Sequence, residues 1–159
     1  MFNWAHVHLM INHFPVVGTM GTILLFLYGA VRKSKEIVVA SLGLFVLLAL
    51  VTIPVFLTGE KAEDVVKNLP GVTEDYIGRH EEMASYALVM MEILGAAALL
   101  GLFWVHRTGS TPKWLIVLVL VLSLITAVSM GITANFGGQI RHTEIRADFS
   151  RPPTLKPVK

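Results

Sequence analysis

Four apolar runs alternate with short polar stretches along this chain. The first extends from about His6 to Val31, is most apolar over Val16–Val31, and is closed by Arg32-Lys33-Ser34-Lys35. The second covers Ile37–Leu57, with Pro54 near its end and Thr58-Gly59 as the expected stop. The third covers residues 80–105, apolar from Met83 and ended by His106-Arg107. The fourth covers Trp114–Phe136 and is expected to stop at Gly137-Gly138. Each has about 20 residues or more, enough to cross a hydrocarbon core of ~30 Å. The pattern predicts an all-α integral membrane protein, an antiparallel four-helix transmembrane bundle in residues 1–138. Residues 139–159 read as an extended, polar, proline-rich tail. The chain shows no convincing internal repeat, although the first and third segments both open with histidine.

The connections differ in charge. Arg32–Glu36 and His106–Lys113 are short and basic. Thr58–Gly78 reads as a long acidic loop with Glu60, Glu63, Asp64, Glu74 and Asp75, in which Ala62–Leu69 forms at most one or two amphipathic turns before Pro70-Gly71. Short basic loops predict a cytoplasmic position, which puts both termini and the acidic loop on the periplasmic side. Trp4, Trp104 and Trp114 fall at segment ends and read as interface anchors.

Composition supports the membrane class. The chain of 159 residues is 54% hydrophobic and 15% charged, against about 25% charged in soluble domains. Its mean hydropathy is +0.67. The absence of cysteine excludes disulfides, thiolate-held iron–sulfur clusters, cysteine zinc sites and covalently attached c-type haem. A formal charge of +2 gives no reason to expect a nucleic-acid partner. Met1-Phe2-Asn3-Trp4 lacks the basic start of a cleavable signal, so the first apolar run is expected to be retained.

The candidate chemistry is histidine. His6, His8 and His13 open the first segment, His80 opens the third and His142 follows the fourth. Antiparallel topology places these five at one end of the bundle and His106 at the other. Near lipid, a histidine is costly unless it is paired or bound. His8 and His13 are five residues apart, so they point about 140° away from each other on one helix and do not readily share one ion. His13, with Asn12, Phe14 and Pro15 around it, is expected to be buried enough to ligate, and Pro15 frees the carbonyl of Ile11. Neutral imidazole suits zinc, copper and haem iron alike. Glu81 and Glu82 beside His80 would fit a zinc site, and facing histidines with apolar walls would fit haem. Arg79 and Arg141 flank His80 and His142, where they could pair haem propionates or anchor the interface. Glu92, in mid-segment, is a candidate for a proton path or a quinone contact, or a protonated side chain bonded to a hydroxyl. Met83 is the methionine nearest the histidine end, where core filling is the expected role.

The elements His8-x4-His13-Phe14-Pro15, His80 at the third helix, and Gly137-Gly138-x3-His142 resemble a family of small bacterial four-helix membrane proteins, catalogued as domain of unknown function 2231. The resemblance covers roughly Val7 to Thr143. At its first position the family has His-Pro, where this chain has His8-Leu9. Some relatives are similar to modules linked to redox proteins such as Rieske-type domains. The resemblance implies an electron-transfer setting in a bacterial plasma membrane, with haem b as cofactor. For one haem the expected axial pair is His13 with His80; for two, His8 with His142 is the second pair. The expected function is a b-type cytochrome passing electrons from a membrane donor, quinol or a partner complex, to an external acceptor. The acidic stretch would steer a basic soluble partner. The alternatives are an accessory subunit of a larger respiratory or photosynthetic complex, and a membrane protein that binds or delivers metal through the same histidines.

Overall fold

A computed structural model describes residues 3–150. It holds five α-helices, α1 (Trp4–Ile11), α2 (His13–Val31), α3 (Lys35–Val66), α4 (Glu74–Thr108) and α5 (Lys113–Arg141), then a 3-10 turn at Thr143–Ile145. There is no strand among the described residues.

Local chemistry sets the ends. Asn3 caps α1, its side-chain oxygen accepting from the His6 N–H at 2.9 Å. Pro15 has no N–H to offer the Ile11 carbonyl, and α1 ends at Ile11. The break is slight: Asn12 keeps helical angles, and its N–H still reaches the His8 carbonyl at 2.9 Å. Ser34 caps α3 through Ile37. Gly109, at φ +70°, ends α4 in the left-handed conformation that glycine adopts without a Cβ penalty.

Two expected stops are not stops. α3 runs through Thr58-Gly59 to Val66, and α5 runs through Gly137-Gly138 to Arg141. α3 also continues past Pro54. The expected loop over Thr58–Gly78 is mostly helix, because α3 extends past it on one side and α4 begins at Glu74 on the other. Ala62 and Ile77, 7% and 5% exposed, explain the extension: the polar continuations bury one apolar stripe and remain helical. The start of the expected C-terminal tail is also structured, as the last turn of α5 and the 3-10 turn. The proline-rich part, residues 151–159, lies outside the described residues.

α2, α3, α4 and α5 form a closed ring in which each packs on the next, and α1 lies on α3. Phe26, Leu42, Phe45, Met91 and Leu94 fill the centre at full burial. Close packing relies on small residues: a Cβ at Gly95 would stand 2.5 Å from Ala49 Cβ, and one at Gly101 would stand 2.9 Å from Leu115 Cδ1. Most of the buried hydroxyls donate to helix carbonyls, as with Thr52 to Leu48 at 2.7 Å and Ser41 to Ile37 at 2.8 Å. Thr126 reaches across to the Met90 carbonyl at 3.2 Å.

The outer surface is apolar. Leu24, Val31 and Leu100 are 69%, 72% and 70% exposed. A belt of this kind suits a lipid environment and would be a liability in water. Four segments are long and apolar enough to cross a membrane: Trp4–Val31, which joins α1 and α2, then Lys35–Val66, Glu74–Thr108 and Lys113–Arg141.

Candidate functional site: two histidines in glycine notches

A side chain on a helix leans toward the N-terminus and covers the carbonyls of the preceding turn. A glycine therefore exposes the carbonyl four residues before it. The bundle uses this twice. On α3, Gly59 uncovers the Val55 carbonyl, and His8 of α1 fills the notch, with Nδ1 3.1 Å from Val55 O and 3.3 Å from Thr58 Oγ1. On α5, Gly137 uncovers the Thr133 carbonyl, and His80 of α4 fills that notch, with Nδ1 3.0 Å from Thr133 O. The fit is close in both. A Cβ at Gly59 would lie 3.3 Å from His8 Cε1, and one at Gly137 would lie 3.0 Å from His80 Cε1.

The acceptors decide the chemistry of the rings. A backbone carbonyl only accepts, so Nδ1 carries the proton in each ring and donates it. In the neutral ring Nε2 then has a free lone pair. Among the described residues neither Nε2 has a hydrogen-bond partner. An Nδ1–H held by a carbonyl, with Nε2 presented outward, is how metal-ligating histidines are usually fixed. The two rings are near enough for a charge on one to act on the other. Yet no Cα of α1 comes within 8 Å of α4 among the described residues, so the two rings come from helices that do not pack on each other.

The other expected residues are placed differently. His13 is exposed on α2, which corrects the expectation that it is buried enough to ligate; Pro15, two residues on, takes the buried position. His142 is exposed past the end of α5, with Nδ1 2.9 Å from Glu144 Oε1. The Glu144 carboxyl is held below the usual carboxylate range by its own backbone N–H and by the His142 ring. Arg79 is exposed and paired with Asp75 at 3.0 Å, and Arg141 is exposed on the last turn of α5. His6 is exposed near the start of α1, and His106 is exposed at the opposite end of the bundle. No group of three or more histidine, aspartate and glutamate side chains is arranged to hold a metal ion among the described residues. Glu92 is half-buried on α4, and its Oε1 is enclosed without a partner, as is Thr19 Oγ1 on α2.

Carboxylates crowd the same end. Glu81, next to His80, lies within hydrogen-bond reach of Glu63 on α3, with Glu60 nearby. Arg146 then ties the C-terminal segment down. It donates to the carbonyls of Gln139 at 2.8 Å, Ile140 at 3.0 Å and Gly71 at 2.8 Å, and stacks 4.1 Å over the Tyr76 ring. Tyr76 Oη in turn donates to Asp148 at 3.1 Å. Sequence reasoning missed Arg146, for which the chain carries no local signal. It also missed the notch-forming role of Gly59 and Gly137. Their signal was visible as a glycine near the histidine end of the second and fourth apolar runs, but it read as helix termination.

No family model, curated protein or solved structure matches the chain. The functional reading therefore rests on the geometry of the site and on the motif residues themselves.

Proposed function

We propose that this chain is a membrane electron-transfer protein that holds one b-type haem between His8 and His80. The observation that carries the reading is the equivalence of the two notches: two imidazoles from separate helices, each with Nδ1 donating to a helix carbonyl, each resting on a glycine, each with Nε2 unengaged. Two imidazole donors of this kind suit a haem iron. A tetrahedral ion would need more donors than this pair supplies. When bound, a haem supplies reversible one-electron iron chemistry. His8 and His80 would hold it through Nε2. The carbonyls of Val55 and Thr133 orient the rings and raise their basicity as ligands. The exposed guanidinium groups of Arg79 and Arg141 would be the candidates to pair with propionates.

The same reading places the bundle in a bacterial plasma membrane with antiparallel helices, both termini and the histidine end being periplasmic. The short basic connections support that orientation. The donor would be quinol or a partner complex. The carboxylates on α3 and α4 would draw in a basic soluble acceptor.

A reduced-minus-oxidised visible spectrum of the protein purified in detergent and supplied with haem tests the reading. The expected result is an α-band of bis-histidine type. It should disappear in His8→Ala and in His80→Ala, and persist in His13→Ala and His142→Ala. A colourless wild-type protein, or a band that survives loss of His8 or His80, overturns it.

A further inference from the structure

The end of the bundle opposite His8 and His80 has a different chemistry. Around it lie Arg32, Lys33, Lys35, Arg107 and Lys113, against the single carboxylate of Glu36. Here a groove of about 400 Å³ opens between the start of α3 and the end of α4, lined by Lys35, Val39, Leu102, Val105 and His106. It shares Leu102 and His106 with a second hollow of about 470 Å³, which continues along α4 over Leu99, Leu100 and Phe103. The mouth is polar and the floor is apolar. Lys35 is exposed and leans toward the α4–α5 turn, its Nζ 3.9 Å from where a Gly109 Cβ would be. His106 is exposed one turn beyond Leu102 on α4. The floor lies on the apolar belt, so what reaches it is a hydrocarbon chain already in the bilayer.

We propose that this groove binds one anionic phospholipid. Its phosphate sits between Lys35 and His106, and one acyl chain runs along Leu102 toward Leu99. Charge complementarity selects the headgroup: Lys35 lies at the mouth itself, and the two connections at this end of the bundle carry five basic side chains against one carboxylate. A zwitterionic lipid gains less from the same rim, because its own cation is repelled. Basic pockets between transmembrane helices are the usual sites of anionic headgroup recognition. The site lies at the opposite end of the bundle from His8 and His80 and does not depend on haem.

The full chain, delipidated in detergent, would be titrated with dioleoyl phosphatidylglycerol and, separately, with dioleoyl phosphatidylcholine. Native mass spectrometry reads the adducts, and thermal unfolding reads the stabilisation. The expected result is one retained phosphatidylglycerol and weaker retention of phosphatidylcholine. Lys35→Gln should weaken phosphatidylglycerol about fivefold, from roughly one kilocalorie per basic residue. His106→Gln should weaken it independently. Leu102→Trp, which fills the floor, should displace both lipids. Lys67→Gln, at the opposite end, should change nothing, and circular dichroism confirms that each variant is folded. Equal retention of the two lipids overturns the proposal. So does a loss in Lys67→Gln that matches Lys35→Gln, or a dimer that covers the groove and excludes lipid.

Discussion

Gly95 and Gly137 lie in adjacent helices and serve opposite purposes. Gly95, buried in the middle of α4, lets α3 approach until its missing Cβ would overlap Ala49 Cβ at 2.5 Å. Gly101 does the same for Leu115, and Gly18 for Leu48. These glycines set the spacing between helices. Gly59 and Gly137, at the histidine end, face imidazole rings. There the missing side chain uncovers a carbonyl and gives a ring a fixed orientation. A glycine in this bundle is therefore defined by what it faces: an apolar partner makes it a spacer, and a histidine makes it part of a binding site.

The strongest test of the spacer side is to move a methyl group across the interface. Gly95→Ala forces a Cβ into Ala49, whose own Cβ has no rotamer to escape into. Overpacking of this kind typically costs about 1–3 kcal/mol. The thermal midpoint in detergent should fall, and adding Ala49→Gly should recover most of the loss, because the two sites touch. A single variant as stable as the parent would show that the helices are not held at this distance by glycine.

The binding side has a smaller and graded effect. At Gly137→Ala the new Cβ would lie 3.0 Å from Cε1 and 3.2 Å from Nδ1 of His80. At Gly59→Ala the corresponding distances to His8 are 3.3 and 3.6 Å. Alanine at residue 137 should push His80 off the Thr133 carbonyl, with the loss of a hydrogen bond worth about 0.5–1.5 kcal/mol. Alanine at residue 59 should disturb His8 less. Imidazole nitrogen chemical shifts in histidine-labelled protein would read this directly. The parent should show protonated Nδ1 in both rings, with a mixed tautomer for His80 in Gly137→Ala and a smaller change for His8 in Gly59→Ala. The reverse order would mean that the rings are held by something other than the notches.

How much of this was legible follows from the range of each signal. The four apolar segments are local features, and they appear in the sequence at nearly the positions where the helices form. The helix ends depend on tertiary contacts. Ala62 and Ile77 hold the polar extensions of α3 and α4 in helix by packing, and a window of hydropathy sees only their charged neighbours. Pro15 was legible as the cause of a freed Ile11 carbonyl, and α1 ends there. That His8, His80 and His142 lie at one end follows from segment order alone. Which of them turn inward depends on the rotation of each helix about its axis, and sequence spacing constrains rotation only within one helix. The 140° separation of His8 and His13 implied by about 3.6 residues per turn showed that the two would not face the same way. It did not say which would face α3, and the structure turns His8 inward.

The smallest effect is expected where glycine faces nothing. Gly131 is exposed within α5, and a Cβ there would meet no atom within 4 Å. Gly131→Ala adds helix propensity without a clash, a gain of roughly 0.5–1 kcal/mol in a helix interior. The thermal midpoint should rise slightly, with no change in the imidazole shifts or in any haem band. Gly131 and Gly137 lie on the same helix, so the same substitution should change sign within two turns. If Gly131→Ala instead lowered stability as much as Gly95→Ala, α5 would need glycine for its backbone alone. The notch at Gly137 would then be a consequence of that need, and its contact with His80 would lose its weight as evidence for a site.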